Sequence, residues 1–218
     1  MFEVARTPVA TVIAERGRRR QLDTGEVLFR EADPSTSVYE CVSGRIRLVV
    51  SAAGGRELLL DVELVGDVFG ELSAIDGGGR SATAIAMERS VVAELSGAEF
   101  LDAVRTSPEL AMVSLLALAR QLRRANARIR VGETETVATR TAHLLLELAE
   151  RFARADGGRG GDGVVPITQT DLAEWLGATR ETTARALAEL RRAGVITTAR
   201  SCITVKDPAA LAALARTA

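Results

Sequence analysis

The sequence predicts an α+β chain in three parts: an N-terminal antiparallel β-barrel or jelly roll, a long helix, and a C-terminal winged helix-turn-helix. Three observations predict it. Short β-rich runs separated by Gly, Asp, Pro and Ser turns fill residues 22–97. A helical pattern opens at Ser107-Pro108 and carries apolar residues at alternating spacings of three and four. Two short amphipathic segments joined at a glycine, then a hairpin signal, occupy residues 168–205. The expected boundaries are 1–107 for the barrel, 108–134 for the long helix and 135–218 for the winged domain.

Composition narrows the function classes. The 218 residues leave room for one large or two modest domains. Hydrophobic residues make up 47% and aromatics only 3%, so the core must come from Leu, Val, Ile and Ala. Net charge is −1, which gives no global basic field. Locally, however, residues 164–206 carry six basic side chains (Arg180, Arg185, Arg191, Arg192, Arg200, Lys206) against four acidic ones (Asp171, Glu174, Glu181, Glu189). Nucleic-acid binding depends on such local placement. Cys41 and Cys202 match no metal-ligand spacing, no apolar run reaches membrane-spanning length, and the N-terminus lacks a signal pattern. These features predict a reduced, cytoplasmic protein with no metal and no membrane partner.

The elements follow in order. Residues 8–19 read as a short helix. Strands are expected at Val27–Phe29, Val38–Val42, Ile46–Val50, Glu57–Val62, Ala82–Met87 and Val91–Leu95, with Gly25, Gly44, Gly54-Gly55 and Gly66 at turns. Leu115, Leu118, Leu122, Ala125 and Ile129 form an a/d seam, the requirement for two long helices to pair. The same segment carries Arg120, Arg123, Arg124, Arg128 and Arg130, which need solvent or anionic partners. This favours a homodimer through 108–134 over one helix packed on its own barrel. Gly132 is expected to weaken or kink that helix. A second helix, roughly 134–154, places Val137, Leu144, Leu145, Leu148 and Phe152 on one face, and a glycine-rich loop follows at 155–163.

Phe69–Thr83 carries the chemistry of the first part. It gathers a glycine-flanked carboxylate, a glycine-rich loop and an arginine followed by a hydroxyl. Backbone N–H groups and the Ser81 hydroxyl can cradle phosphate oxygens. Arg80 can pair with them bidentately. Glu71 can accept from a ribose hydroxyl. Hydrolysis in such a pocket needs a metal-activated water or a placed general base. The single histidine, His143, lies far from the glycine loop and reads as a surface or packing residue, so an enzyme is disfavoured.

Thr168-Gln169-Thr170-Asp171 fits a capping box that starts a helix with Leu172, Ala173 and Leu176 inward. Gly177 permits the turn, and Thr179 caps the next helix. There Arg180, Glu181, Ala184 and Arg185 span about 140° of the wheel. Thr183, Ala186, Leu187 and Leu190 lie opposite. Arg reads guanine O6 and N7, and Glu accepts from cytosine N4. The hairpin at Val195–Thr198 and Cys202–Val205 adds a wing.

These residues resemble the Crp/Fnr family of bacterial transcription regulators, from Gly25 to about Val205. The specific motifs are Gly66-Asp-Val-Phe-Gly-Glu-Leu72 with Arg80-Ser-Ala82, and Thr179-Arg-Glu-Thr182 with Arg185. The likeness is strongest to the cyclic-AMP receptor branch. It implies a cyclic-nucleotide pocket in which Gly70 and Glu71 hold the ribose, Arg80, Ser81 and the backbone at Ala82 hold the cyclic phosphate, and Leu72 is a further ligand-binding residue. It implies DNA contacts from Thr168, Gln169, Thr179, Arg180, Glu181, Thr182 and Arg185 on an inverted repeat like TGTGA-N6-TCACA. RNA polymerase is a partner by the same resemblance. One departure stands out. Ala125-Asn126 occupies the place where the family's cyclic-AMP sensors usually carry Thr and then Ser or Asn against adenine. Asn126 keeps an amide, but Ala125 lacks the hydroxyl, a loss of roughly 0.5–1.5 kcal/mol per bond. Cyclic AMP is the favoured effector, with cyclic GMP open through Ser81; a constitutive or otherwise-liganded DNA binder is the alternative. A regulatory subunit acting on a partner protein would leave the winged helix without a task. On this reading Arg80→Ala loses ligand response while keeping the fold.

Overall fold

In the computed structural model the chain divides into two compact units, one up to Arg123 and one from Arg124. Residues 7–34, 37–52, 55, 57–134, 136–155 and 163–216 are described, with the backbone alone at 120, 124, 127–134 and 216. Gly54, the loop at 156–162 and the side chains of Arg120, Arg124, Arg128, Ile129 and Arg130 lie outside that description.

The first unit opens with α1 (Pro8–Arg16) and β1 (Arg18–Leu22). It continues through β2 (Val27–Phe29), β3 (Ser37–Ser43), β4 (Ile46–Ser51), β5 (Glu57–Glu63) and β6 (Val68–Phe69). α2 (Glu71–Asp76), β7 (Thr83–Ala86), β8 (Ser90–Ser96) and α3 (Gly97–Thr106) complete it. The strands form two four-stranded antiparallel sheets, ordered β1-β8-β3-β6 and β2-β7-β4-β5. Their facing sides bury Leu22, Leu28, Tyr39, Cys41, Ile46, Phe69, Ala84, Ala86 and Val92 together. A strand's side chains alternate between faces, so β3 sends Tyr39 and Cys41 into this layer. Its Val38 goes the other way, into a second cluster with Val9, Ile13, Leu95, Phe100 and Leu110. That second cluster seats α1, α3 and the start of α4 (Pro108–Thr134).

The second unit contains α5 (Val137–Ala155), β9 (Val164–Val165), α6 (Gln169–Leu176) and α7 (Arg180–Arg192). β10 (Ile196–Thr198), β11 (Ile203–Val205) and α8 (Pro208–Arg216) follow. The small sheet runs β10-β11-β9. α5 buries Leu144, Leu145, Leu148 and Phe152 as its periodicity predicts, and His143 is exposed.

Several elements depart from expectation, the short β6, α2 and β9 among them. The first helix ends at Arg16, and Arg18–Leu22 becomes a strand because β8 offers it a full antiparallel register from Arg18↔Glu94 to Leu22↔Ser90. A helix fills Gly97–Thr106, closed by a reciprocal capping box between Ser96 and Glu99. α4 runs through Gly132 to Thr134, since one glycine weakens a helix without having to break it. α8 lies beyond the predicted wing.

Thr183 is among the buried polar groups of the winged unit. Thr183 is 0% exposed, and its Oγ1 has no hydrogen-bond partner among the described residues. A buried hydroxyl without a partner costs roughly 1–3 kcal/mol. Thr183→Val keeps the volume and removes the hydroxyl, so it is expected to raise the urea midpoint with an unchanged m-value. A lowered midpoint would show that the hydroxyl is satisfied in solution.

Candidate functional site

The glycine-flanked carboxylate is built by a strand-to-helix turn. β6 ends at Phe69, and Gly70 takes φ +77 as the N-cap of α2. Gly70 is required twice, because that φ disfavours any side chain and an added Cβ would sit 2.7 Å from Nη1 of Arg80. Glu71 and Leu72 open α2 half-buried, and Ser73 is buried. After the glycine loop Arg80 turns inward, Ser81 is exposed and Ala82 is buried.

Arg80 is 3% exposed, and one of its amino groups is fully engaged. Nη1 donates to the carbonyls of Ser37 and Gly70, each at 2.8 Å, and to Ser73 Oγ at 3.0 Å. The guanidinium carbon lies 4.2 Å from the Phe29 ring centre and 5.3 Å from that of Tyr39. Tyr39 in turn stacks between Phe29 and Phe69, with ring centres 5.6 Å apart on either side. The main chain is held too: Arg80 N–H donates to the Asp33 carbonyl at 3.0 Å, and its carbonyl accepts from Ala32 N–H at 2.8 Å. Burial pulls the guanidinium pKa down, opposed mainly by Tyr39.

Glu71 has the opposite problem. Burial pushes its carboxyl pKa up, while its own backbone N–H and the charge of Arg80 work in the other direction. Its charged form therefore lacks the solvation it would have in water. A donor such as a ribose hydroxyl would supply what is missing. The residues present fit a sugar-phosphate: a carboxylate whose charged form burial disfavours, a cation held by Ser37, Gly70 and Ser73, and an exposed hydroxyl at Ser81.

The DNA-side residues assemble in the second unit. Thr168 caps α6: its N–H donates to Asp171 Oδ2 at 2.8 Å, and Asp171 N–H donates back to Thr168 Oγ1 at 3.1 Å. Gly177 takes φ +61 and ends α6. Arg140 on α5 donates to the carbonyl of Leu176 at 3.2 Å, placing a cation at that helix C-terminus. Thr179 caps α7 through Thr182 N–H at 3.2 Å. Gln169, Thr179, Arg180, Glu181 and Arg185 are exposed, and Thr168 and Thr182 half-buried. Arg185 and Glu181 form a loose ion pair at 3.9 Å. Arg200 stands exposed in the wing hairpin, which Ala199 N–H closes onto the Cys202 carbonyl at 2.8 Å.

Two arrangements now stand on one chain, Arg80 and Glu71 in a β-sandwich and a capped helix-turn-helix with a wing. The sequence matches the cyclic nucleotide-binding domain family over residues 19–107 and the Crp-like helix-turn-helix domain family over 139–214. It is 32% identical to the CRP-like cAMP-activated global transcriptional regulator of Mycobacterium tuberculosis, over 88% of this chain and 85% of that protein. It is 31% identical to the cyclic AMP receptor protein of Thermus thermophilus, over 91% and 88%. The chain belongs to the Crp/Fnr family of transcription regulators. Its fold matches the structure of FixK2 from Bradyrhizobium japonicum with a TM-score of 0.80 and 25% identity, over 93% and 98% of the two chains. The family is regulatory, not enzymatic.

Gly70, Glu71, Leu72, Arg80, Ser81 and Ala82 are brought to one region of the first unit. Ala125 and Asn126 are exposed on α4 within the second. Sequence reasoning missed the acceptors of Arg80. The Ser73 hydroxyl was visible beside Glu71, but no pattern marks the Ser37 carbonyl.

These contacts change the expectation for Arg80. Arg80→Ala removes a charged donor shared by three acceptors and opens a void under Phe29 and Tyr39. A loss of roughly 2–4 kcal/mol in unfolding free energy is expected, read by urea denaturation. A stability equal to the parent protein's would mean that the contacts carry no net stabilisation.

Glu71→Gln is expected to act in the other direction, with a clear pH signature. The folded-state pKa is raised, so stability is fully present below the unfolded carboxyl value and is lost as pH rises through the folded one. The Gln variant should therefore match the parent near pH 4 and exceed it at pH 7. Parallel midpoint curves across that range would show that the carboxylate is fully solvated.

Proposed function

We propose that the protein is a homodimeric DNA-binding transcription regulator gated by a cyclic nucleotide bound in the first unit, with cyclic AMP ahead of cyclic GMP. The observation that carries this reading is the pairing of Glu71, whose charge is poorly solvated, with Arg80, whose charge is held in place. Glu71 would accept from the ribose 2′-hydroxyl, and Arg80, Ser81 and the backbone at Ala82 would face the cyclic phosphate. Ala125 and Asn126 would meet the base. Arg180, Glu181 and Arg185 would read base edges, with Thr168, Gln169, Thr179 and Thr182 on the phosphates. The names of the Mycobacterium tuberculosis and Thermus thermophilus relatives support the effector.

Dimerisation is supported by α4. Met112, Leu115, Leu116 and Leu122 are exposed along it, Leu115 at 59% and Leu122 at 62%. Large apolar side chains exposed along one helix are what a second copy would cover. None of the described helices is long and apolar enough to cross a membrane. A chromosomal target would place the protein in the cytoplasm, with RNA polymerase as the partner that reads out the bound state.

A second reading is a DNA binder indifferent to cyclic nucleotide. Two observations favour it: Ala125 lacks a hydroxyl for the base, and Nη1 of Arg80 is already spent on Ser37, Gly70 and Ser73.

Fluorescence anisotropy on a labelled TGTGA-N6-TCACA duplex separates the two. The titration is run at one salt concentration, without nucleotide and with each cyclic nucleotide, against scrambled and single half-site duplexes. The expected result is at least tenfold tighter binding to the full site with cyclic AMP, and much weaker binding to one half-site. Specific binding unmoved by either nucleotide would establish the second reading. Equal binding to half and full sites would overturn the dimer.

A further inference from the structure

We infer that Glu94 is a positioning residue for the effector site, holding the ring of Tyr39 and, through it, the guanidinium of Arg80. This rests on the reading of the first unit as the effector-binding unit and adds a residue from outside the glycine loop.

Glu94 stands where an apolar side chain would be expected. Side chains alternate between faces along β8. Ala93 and Leu95 enter the cluster that seats α1 and α3. Val92 enters the layer between the two sheets. Glu94 shares the face of Val92, so a carboxylate occupies a strand position on the side of an apolar layer. Glutamate is disfavoured in such a position unless it has a partner. The partner is Tyr39. β3 and β8 pair with Tyr39 directly opposite Glu94, and the Tyr39 hydroxyl donates to Glu94 Oε1 at 3.2 Å.

Tyr39 is buried, stacked between Phe29 and Phe69. The guanidinium carbon of Arg80 lies 5.3 Å from its ring centre and 4.2 Å from that of Phe29. Stacking fixes the plane of a ring better than its position within that plane. A buried phenol also needs a partner for its hydroxyl. The hydrogen bond to Glu94 meets both needs, because it anchors the tip of the ring at one point of β8. Burial pushes the Tyr39 phenol pKa up, the Glu94 charge adds to that and Arg80 opposes it, so the phenol keeps the proton it donates.

Arg80 therefore has two kinds of support. The carbonyls of Ser37 and Gly70 and the Ser73 hydroxyl hold Nη1. The faces of Phe29 and Tyr39 set the plane of the guanidinium fork, and that plane decides where its donors point. A displaced Tyr39 would turn the fork relative to a phosphate without removing the cation.

A cross-strand ion pair gives a different expectation. Arg18 on β1 stands opposite Glu94 in register. If Glu94 serves only that pair at the sheet surface, its removal leaves nucleotide affinity unchanged.

The test compares the full-length parent protein with Glu94→Gln, Glu94→Ala, Tyr39→Phe and the double variant Glu94→Ala/Tyr39→Phe, with thermal melts to establish folding. The chain has a single tyrosine, so isotopically labelled tyrosine gives one Cζ signal by NMR, and it reports on Tyr39 alone. That signal should move in Glu94→Ala and stay near the parent's in Glu94→Gln, whose amide oxygen still accepts. Calorimetry gives the affinity for whichever of cyclic AMP and cyclic GMP binds more tightly, and for its 2′-deoxy analogue. Loss of one hydrogen bond implies roughly a three- to tenfold weakening. Glu94→Ala and Tyr39→Phe should each weaken both ligands by that factor. The double variant should be no weaker than either single one, and Glu94→Gln should keep most of the affinity. The ratio between the nucleotide and its 2′-deoxy analogue reports on Glu71 and should stay the parent's. The inference is overturned if Glu94→Ala binds as the parent does, if Glu94→Gln is as weak as Glu94→Ala, or if the two single losses multiply in the double variant. It is overturned as well if the ratio falls along with affinity, which marks a general loosening of the site. A parent protein that binds neither nucleotide defeats the effector reading and this inference with it. Nucleotide binding indifferent to Glu94 defeats this inference alone.

Discussion

The first unit is organised around one buried cation. Removing a guanidinium from water is expensive unless nearly every donor finds an acceptor. Arg80 answers part of that demand through Nη1, which donates to the carbonyls of Ser37 and Gly70 and the hydroxyl of Ser73, and through the ring faces of Phe29 and Tyr39. Those groups come from β2, β3, the β6–α2 turn and α2. A charge that must be satisfied therefore ties four segments to one point. The turn before β3 adjusts to it as well. Ala32 takes φ +66, the sole positive value at a non-glycine position among the described residues. An L-residue there bears roughly 1–2 kcal/mol of strain. The strain coincides with the hydrogen bond from Ala32 N–H to the Arg80 carbonyl.

The second unit reaches rigidity by another route. Its helices are short, so their ends matter more than their middles. Thr168 with Asp171, Thr179 with Thr182, Gly177, and Arg140 at the Leu176 carbonyl satisfy backbone groups at three of the four termini around the turn. Caps of this kind contribute about 1 kcal/mol each. The result is a helix whose inner face is locked while its outer face keeps Arg180, Glu181, Ala184 and Arg185 free of packing duties. That division permits the exposed residues to be chosen for recognition alone.

Much of this was legible in the sequence wherever a pattern has a single physical meaning. The alternating runs of β3, β4, β5 and β8, the capping box at Thr168 and the left-handed Gly177 all formed as their residues demand. The missed strands share a cause. Arg18-Arg-Arg-Gln-Leu22 has no alternation and four polar residues, so only its pairing with β8 makes it a strand. β6 and β9 are two residues each and exist only as partners of β3 and β11. At the site, Glu71 and Arg80 announce themselves by type and spacing. The acceptors of Arg80 are mostly backbone carbonyls, which every residue has and no sequence marks. Distant partners explain the missed strands and the carbonyls, but not α3, whose Ser96–Glu99 capping box is a local signal that went unread.

The division of labour between Arg80 and Glu71 shapes what an effector can do in the proposed reading. A ligand shifts a two-state equilibrium only by its differential affinity for the two states. Nη1 of Arg80 is already engaged and the side chain is buried, so a phosphate would meet a preorganised cation. That phosphate gains little, however, from any donor the protein keeps for itself. Glu71 is held with its charge poorly solvated, and a hydroxyl that donates to it relieves a penalty the unliganded protein bears. A poorly solvated acceptor left without a donor costs more than an average hydrogen bond returns. Selectivity for a ribose over a deoxyribose therefore falls mainly on Glu71, and retention of the anion on Arg80. The carboxylate that burdens the unliganded fold is the group through which the correct ligand stands to gain most.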